Sequence, residues 1–175
     1  MTTAIYSNDT LLQELADKAA IRATLNRYSR GLDRHDTEII RTVFTSDAID
    51  NHGDFVGYSP EFPGWVNDLH ERISVGHAHN LTTNLITLHS HEKAHAETYV
   101  LFVLARHQKG LVHVGGGRYL DHLEKVDGYW RIALRRVMVE WRFDNTQTVP
   151  SERLADLASG RWDGADLSYG VLRNQ

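Results

Sequence analysis

The 175-residue sequence contains no cysteine, which excludes a disulfide framework, a thiolate nucleophile and any cysteine-held zinc or iron–sulfur centre. Prolines number only three, and neither a low-complexity linker nor a repeat of roughly 20 to 50 residues divides the chain, so one domain is expected. No apolar run approaches the roughly 20 residues that a membrane span requires. The opening MTTAIYSNDT also lacks the basic and apolar regions of a secretory signal. The expected location is cytoplasmic, with no membrane partner. Excess positive charge is missing too: a formal net charge of -4 offers no clustered Lys/Arg footprint for phosphates, and no nucleic-acid partner is expected.

What remains is a chain of 41% hydrophobic and 24% charged residues, long enough to bury its own core. Up to about Val75 its signals are helical. Ile21, Leu25, Tyr28 and Leu32 recur at helical spacing and predict a first helix from Leu11 to Arg34. Asp36 or Thr37 caps a second helix running through Phe44, with Ile39, Ile40 and Val43 on its buried face. A short strand is expected at Ala48 to His52. Ser59-Pro60-Glu61 then predicts an N-cap and first turn for a third helix carrying Phe62, Trp65, Val66, Leu69 and Ile73.

From about His79 onward the pattern is that of a meander. Leu81 to Leu88, Ala94 to Arg106, Leu111 to Lys125 and Tyr129 to Phe143 predict four strands joined by short turns, with Asp127-Gly128 a hairpin signal. Strands this long must curve, and Gly115-Gly116-Gly117 provides a place for a bulge or bend. The fold class is therefore α+β, with N-terminal helices packed on a strongly curved, mostly antiparallel sheet that encloses a pocket. Residues 1–145 make up this domain. Residues 146–175 are a tail, with a helix expected from Ser151 to Ala158. Trp162, Tyr169 and Leu172 are expected to dock the tail on the same domain or on a neighbouring subunit.

Five stretches carry a family resemblance: Arg27-Tyr28-Ser29-Arg30-Gly31-Leu32-Asp33, His79-Asn80-Leu81-Thr82-Thr83-Asn84, Ala94-His95-Ala96-Glu97-Thr98-Tyr99, Gly116-Gly117-Arg118-Tyr119 and Asp127-Gly128-Tyr129-Trp130-Arg131-Ile132. Together they resemble the SnoaL-like branch of the nuclear-transport-factor-2-like superfamily over roughly residues 10 to 145. Within that branch they are similar to the group of scytalone dehydratase, hexachlorocyclohexane dehydrochlorinase and bile-acid 7α-dehydratase. The resemblance implies a cone-shaped barrel and a homo-oligomer, a trimer ahead of a dimer. It implies a lyase for a small apolar polycyclic, steroid-like or aromatic hydroxy compound, with no metal and no organic cofactor. It also implies a histidine base oriented by a first-helix aspartate, positions that fall on His79 and Asp33. Because a one-residue shift turns a strand side chain to the other face, His79 has to lie in an irregular entry to its strand.

The residue chemistry agrees with that role. Eliminating water or halide needs a base beside the leaving group and a donor to help the group depart. Histidine, with an unperturbed pKa of about 6.5, exchanges protons near neutrality, and a carboxylate on its other ring nitrogen fixes the tautomer. Asp33 and His79 are thus expected within hydrogen-bond reach or bridged by one water. The plain alternatives are an exposed helix-end aspartate and a structurally satisfied histidine, with His77 the other candidate to face the pocket. Tyr28 and Tyr58 are candidate donors to a substrate, although Tyr28 on the apolar stripe is equally a core residue. His113, Arg118 and Arg136 are candidates to reach the pocket from the later strands. An isomerase or cyclase would use the same base with an oxyanion donor, and a non-catalytic binding or scaffold subunit is the alternative of another class.

His91-Glu92-Lys93-Ala94-His95 matches the H-E-x-x-H zinc pattern in letters, but that pattern needs both histidines on one helical face. Here it straddles a turn and a strand, where residues four apart are roughly 13 Å apart. Zinc binding through it is not expected.

Overall fold

The structure is a computed structural model and describes residues 8–108, 110–145 and 162–165. Helix α1 (Asn8–Asp33) buries Ile21, Leu25, Tyr28 and Leu32 completely, so the expected stripe faces the core. The chain then reverses through His35, whose φ of 51° is left-handed, and Asp36 caps α2 (Thr37–Val43) by accepting from the Ile39 N–H. Close packing of α2 on α1 depends on Gly31, where a Cβ would sit 2.8 Å from the Ile40 side chain.

Helix α3 (Phe62–Ile73) begins later than expected, with Glu61 before it and Pro63, not Pro60, in its first turn. Ser59 is not its cap. Its Oγ donates to the Thr45 carbonyl and its N–H to the Ala48 carbonyl, which ties it to the neighbouring strand β1 (Phe44–Asn51). A short strand β2 (Val56–Tyr58), not anticipated from the sequence, pairs with β1.

The meander follows as β3 (Gly76–Leu88), β4 (Lys93–Ala105), β5 (Val112–Val126) and β6 (Tyr129–Asn145). β3 starts five residues before its expected beginning at Leu81. The six strands form one sheet in the order β2-β1-β6-β5-β4-β3, antiparallel except where β1 runs parallel to β6. One face carries Ile86, Ala94, Ala96, Val100, Tyr119, Leu123 and Ile132 against the helices, making a single core with Phe44 and Phe62.

Three one-residue irregularities bend the meander. Leu81 pairs with Val100 but Asn84 with Thr98, three steps on β3 against two on β4. On β6 an extra residue falls opposite Gly116/Gly117 and another opposite His122/Leu123. The glycine run therefore marks a bulge as expected, with the extra residue on the partner strand. At Gly117 a Cβ would lie 1.9 Å from the Met138 carbonyl oxygen, so only glycine fits.

Among the described residues no helix is long and apolar enough to cross a membrane. The helix expected at Ser151 to Ala158, and Tyr169 and Leu172, lie outside the described residues. Trp162 is described, and its ring stacks on His35 with centroids 4.3 Å apart.

Candidate functional site

Ser29 and Asp33 stand one turn apart on α1 and face the start of β3. Ser29 Oγ donates to the His79 carbonyl at 2.6 Å, and the His79 N–H donates to both Asp33 oxygens at 3.1 and 3.0 Å. The His79 ring completes the clamp, with Nδ1 2.7 Å from Asp33 Oδ1. A carboxylate only accepts, so Nδ1 carries the proton and Nε2 keeps its lone pair for other work. The two side chains are 9% and 17% exposed, close to shut off from water without being sealed.

The bulge between Leu81 and Asn84 explains how this face is assembled. His79 and Asn84 are five residues apart and would point to opposite faces of a regular strand. The extra residue returns Asn84 to the His79 face, where its Nδ2 donates to Thr98 Oγ1 at 3.0 Å. The irregularity thus lies after His79, inside the strand, and not at its entry as expected.

Further along the same face is a buried polar group that sequence reasoning missed. Arg135 Nε and Nη2 each donate to an Asp121 oxygen at 2.7 Å, and the guanidinium lies between the rings of Tyr28 (3.9 Å) and Tyr119 (4.3 Å). Burial opposes the charge on Arg135, but the Asp121 carboxylate, with the Tyr28 and Tyr119 phenols beside it, outweighs burial and keeps the guanidinium protonated, while burial raises the Asp121 carboxyl. Burial likewise pushes the Tyr28 phenol well above its usual range, so it remains a donor. Arg135 Nη1, the Tyr28 hydroxyl and Asp50 Oδ2 have no hydrogen-bond partner although all are buried. The other oxygen of Asp50 bonds His52 Nδ1, a second imidazole–carboxylate pair beside Phe62 and Trp65.

The other expected site residues divide. Tyr28 is at the core of this group. His113 is on the inner face, hydrogen-bonded to Asp144, with the Phe102 ring between it and His79. Tyr58 is 59% exposed on β2 and, paired with Ile49, lies on the outer face of the sheet. Arg118 lies on the outer face, paired with Glu97 and Glu140. Arg136 is on that face too, lining an open cleft of about 500 Å³ with His95 and His122. The reason is a single residue. Trp130 and Ile132 point inward, and a regular strand would bring Arg136 inward with them, but the β6 irregularity places Arg135 there instead, opposite Asp121. Alternation with Tyr119 and Leu123 was a usable signal for Asp121; nothing local marked the bulge.

His77 also faces inward, yet its Nε2 donates to the Leu32 carbonyl at 3.0 Å and stands 3.9 Å from Asp33. Its ring packs against His70 and His35, with centroids 4.0 and 5.3 Å away, and Trp162 lies across His35 and His77. Burial, reinforced by neighbouring imidazoles, drives His70 down to about 2; burial drives His77 down to about 4 despite its bond to Leu32. Among the described residues His91 and His95 belong to no cluster of three potential metal ligands; His95 stacks on His122 and touches His89.

The family model of the SnoaL-like domain matches residues 13–136. Among solved structures, a candidate scytalone dehydratase from Novosphingobium aromaticivorans superposes with a TM-score of 0.69 at 19% identity, covering 79% of this chain and 96% of that one. A hexachlorocyclohexane dehydrochlorinase, LinA-type3 from Novosphingobium barchaimii, gives 0.72 at 20%, covering 79% and 98%. The D26N form of Rv3472 from Mycobacterium tuberculosis, a protein of unknown function, gives 0.66 at 23%, covering 94% and 88%. No curated protein matches the sequence significantly.

Proposed function

The chain belongs to the SnoaL-like domain family, and from its clamped imidazole–carboxylate pair we propose that it is a dehydratase-like lyase for a small apolar polycyclic, steroid-like or aromatic hydroxy compound. His79 Nε2 takes the proton from the carbon next to the leaving group. Asp33 holds Nδ1–H and stabilises the imidazolium that forms. The unpartnered Tyr28 hydroxyl and Arg135 Nη1 are the donors available to a departing oxygen, and Phe44, Phe62, Phe102 and Tyr119 supply apolar wall. No cofactor enters this proton transfer. The working unit is a cytoplasmic homo-oligomer, a trimer ahead of a dimer by family likeness.

The observation that carries this reading is the 2.7 Å Asp33–His79 contact reinforced by the same histidine's backbone N–H, shared between both Asp33 oxygens. The test is a panel of polycyclic, steroid and aromatic hydroxy compounds screened for loss of water by mass spectrometry, followed by kinetics of His79→Ala and Asp33→Asn on any substrate found. Unchanged turnover in both variants overturns the mechanism. The same free donors would equally stabilise an enolate oxygen, so a product of unaltered mass identifies an isomerase using the same base.

A further inference from the structure

We propose that His35, His70 and His77 bind one divalent transition-metal ion through His35 Nε2, His70 Nδ1 and His77 Nδ1, next to the His79–Asp33 pair and using none of its atoms. The site stands whether or not His79 acts as a base. Three segments build it: the turn after α1, helix α3 and the start of β3.

One ring nitrogen from each of these histidines lies within 4.8 Å of the other two. The three named nitrogens are buried and have no hydrogen-bond partner. Buried polar atoms are normally satisfied, and three orphans in one cluster call for a common partner. A metal ion is that partner, accepting three lone pairs at once. The outer shell is in place for one ligand and close for a second. The Leu32 carbonyl takes His77 Nε2–H at 3.0 Å, which leaves Nδ1 unprotonated, and Glu71 Oε1 is 3.6 Å from His35 Nδ1 on the side away from Nε2. Metal-bound imidazoles are oriented in this way by carbonyls and carboxylates.

Three imidazoles select a borderline ion such as Zn²⁺ or Co²⁺ over Mg²⁺ or Ca²⁺, which require oxygen. Tetrahedral Zn²⁺ at about 2.0–2.1 Å from each nitrogen spaces them roughly 3.4 Å apart, so nitrogens now within 4.8 Å of one another close in by ring rotation as the ion binds. Its fourth position is left for water or a substrate atom. The Trp162 ring over His35 and His77 walls the outer side. Asp33, His77 and His79 form a rival triplet of similar spacing, but both Asp33 oxygens there already serve His79. The ion would tie α3 and the α1 turn to β3, two residues from Asp33 and two from His79, and so fix the pair's geometry.

The test uses full-length, untagged protein stripped with chelator and titrated with Zn²⁺ by calorimetry and with Co²⁺ by visible absorption. One ion per chain, a raised Tm, and long-range ¹H–¹⁵N spectra of the wild type moving at the three named nitrogens are expected. His35→Ala and His70→Gln each lose more affinity than the roughly 10- to 100-fold that removing an outer-shell partner costs, while His79→Ala retains the ion. If His70→Gln fails to fold, the wild-type spectra decide alone. No stoichiometric binding, equal binding by both variants, binding lost only in His79→Ala, or binding that follows His89 and His95 would each overturn the site.

Discussion

Where α1 meets the sheet at its two ends, Asp17 on one side and the histidines on the other are satisfied to different degrees. At the β5–β6 hairpin end, Asp17 accepts from Lys125, from Trp130 Nε1 and from Gln13, and Thr24 Oγ1 donates to the Trp130 carbonyl. Burial alone would raise the Asp17 pKa, but those donors outweigh it and hold the carboxyl below its usual range. At the β3 end, one histidine is clamped through backbone and ring while three others keep an unpartnered nitrogen. Saturated polar contacts pin an element in place. Unsaturated nitrogens beside the clamped His79 leave bonding capacity for a ligand.

Substitutions at each end sharpen the contrast. The largest effect is expected from His79→Ala and Asp33→Asn, which cut turnover of an identified substrate by about 10²- to 10⁴-fold in steady-state kinetics while the variants still melt cooperatively. Next is Asp121→Ala, which strands the buried Arg135 charge; urea unfolding should show a loss of about 3–5 kcal/mol. Asp17→Ala costs less, about 1–3 kcal/mol by the same measurement, and leaves turnover within about twofold; a collapse in activity instead would break the division between the two ends.

Asp17 also predicts an acid limb. Because its folded pKa is depressed, its contribution is present above the ordinary carboxylate value of 3.8 and is lost as pH falls through the folded value. Melting temperature against pH should therefore drop less steeply below 3.8 in Asp17→Ala than in wild type. The smallest effect is that of Tyr58→Ala, within about 0.5 kcal/mol and without change in turnover, since that side chain is exposed on the outside.

Much of this was legible in the sequence. The α1 stripe, the Asp36 cap, the Asp127-Gly128 hairpin and the long strands follow from local pattern, and likeness of short segments pointed to Asp33 and His79. Regular alternation points Arg136 inward where the structure has Arg135, because alternation carries across a bulge only if the bulge is known, and no residue type near Ala133 announces one. The histidine cluster was invisible for another reason: positions 35, 70 and 77 share no motif and meet only when α3 docks beside the α1 turn.

By itself the sequence determined the three helices, the four long strands and which side chains share a face between irregularities, since those depend on neighbours a few residues away. The tertiary structure alone decided where the inner face changes parity, which imidazole receives the carboxylate, and which nitrogens are left without partners. A bulge is stabilised by the strand beside it, and an unsatisfied atom is defined by everything packed around it.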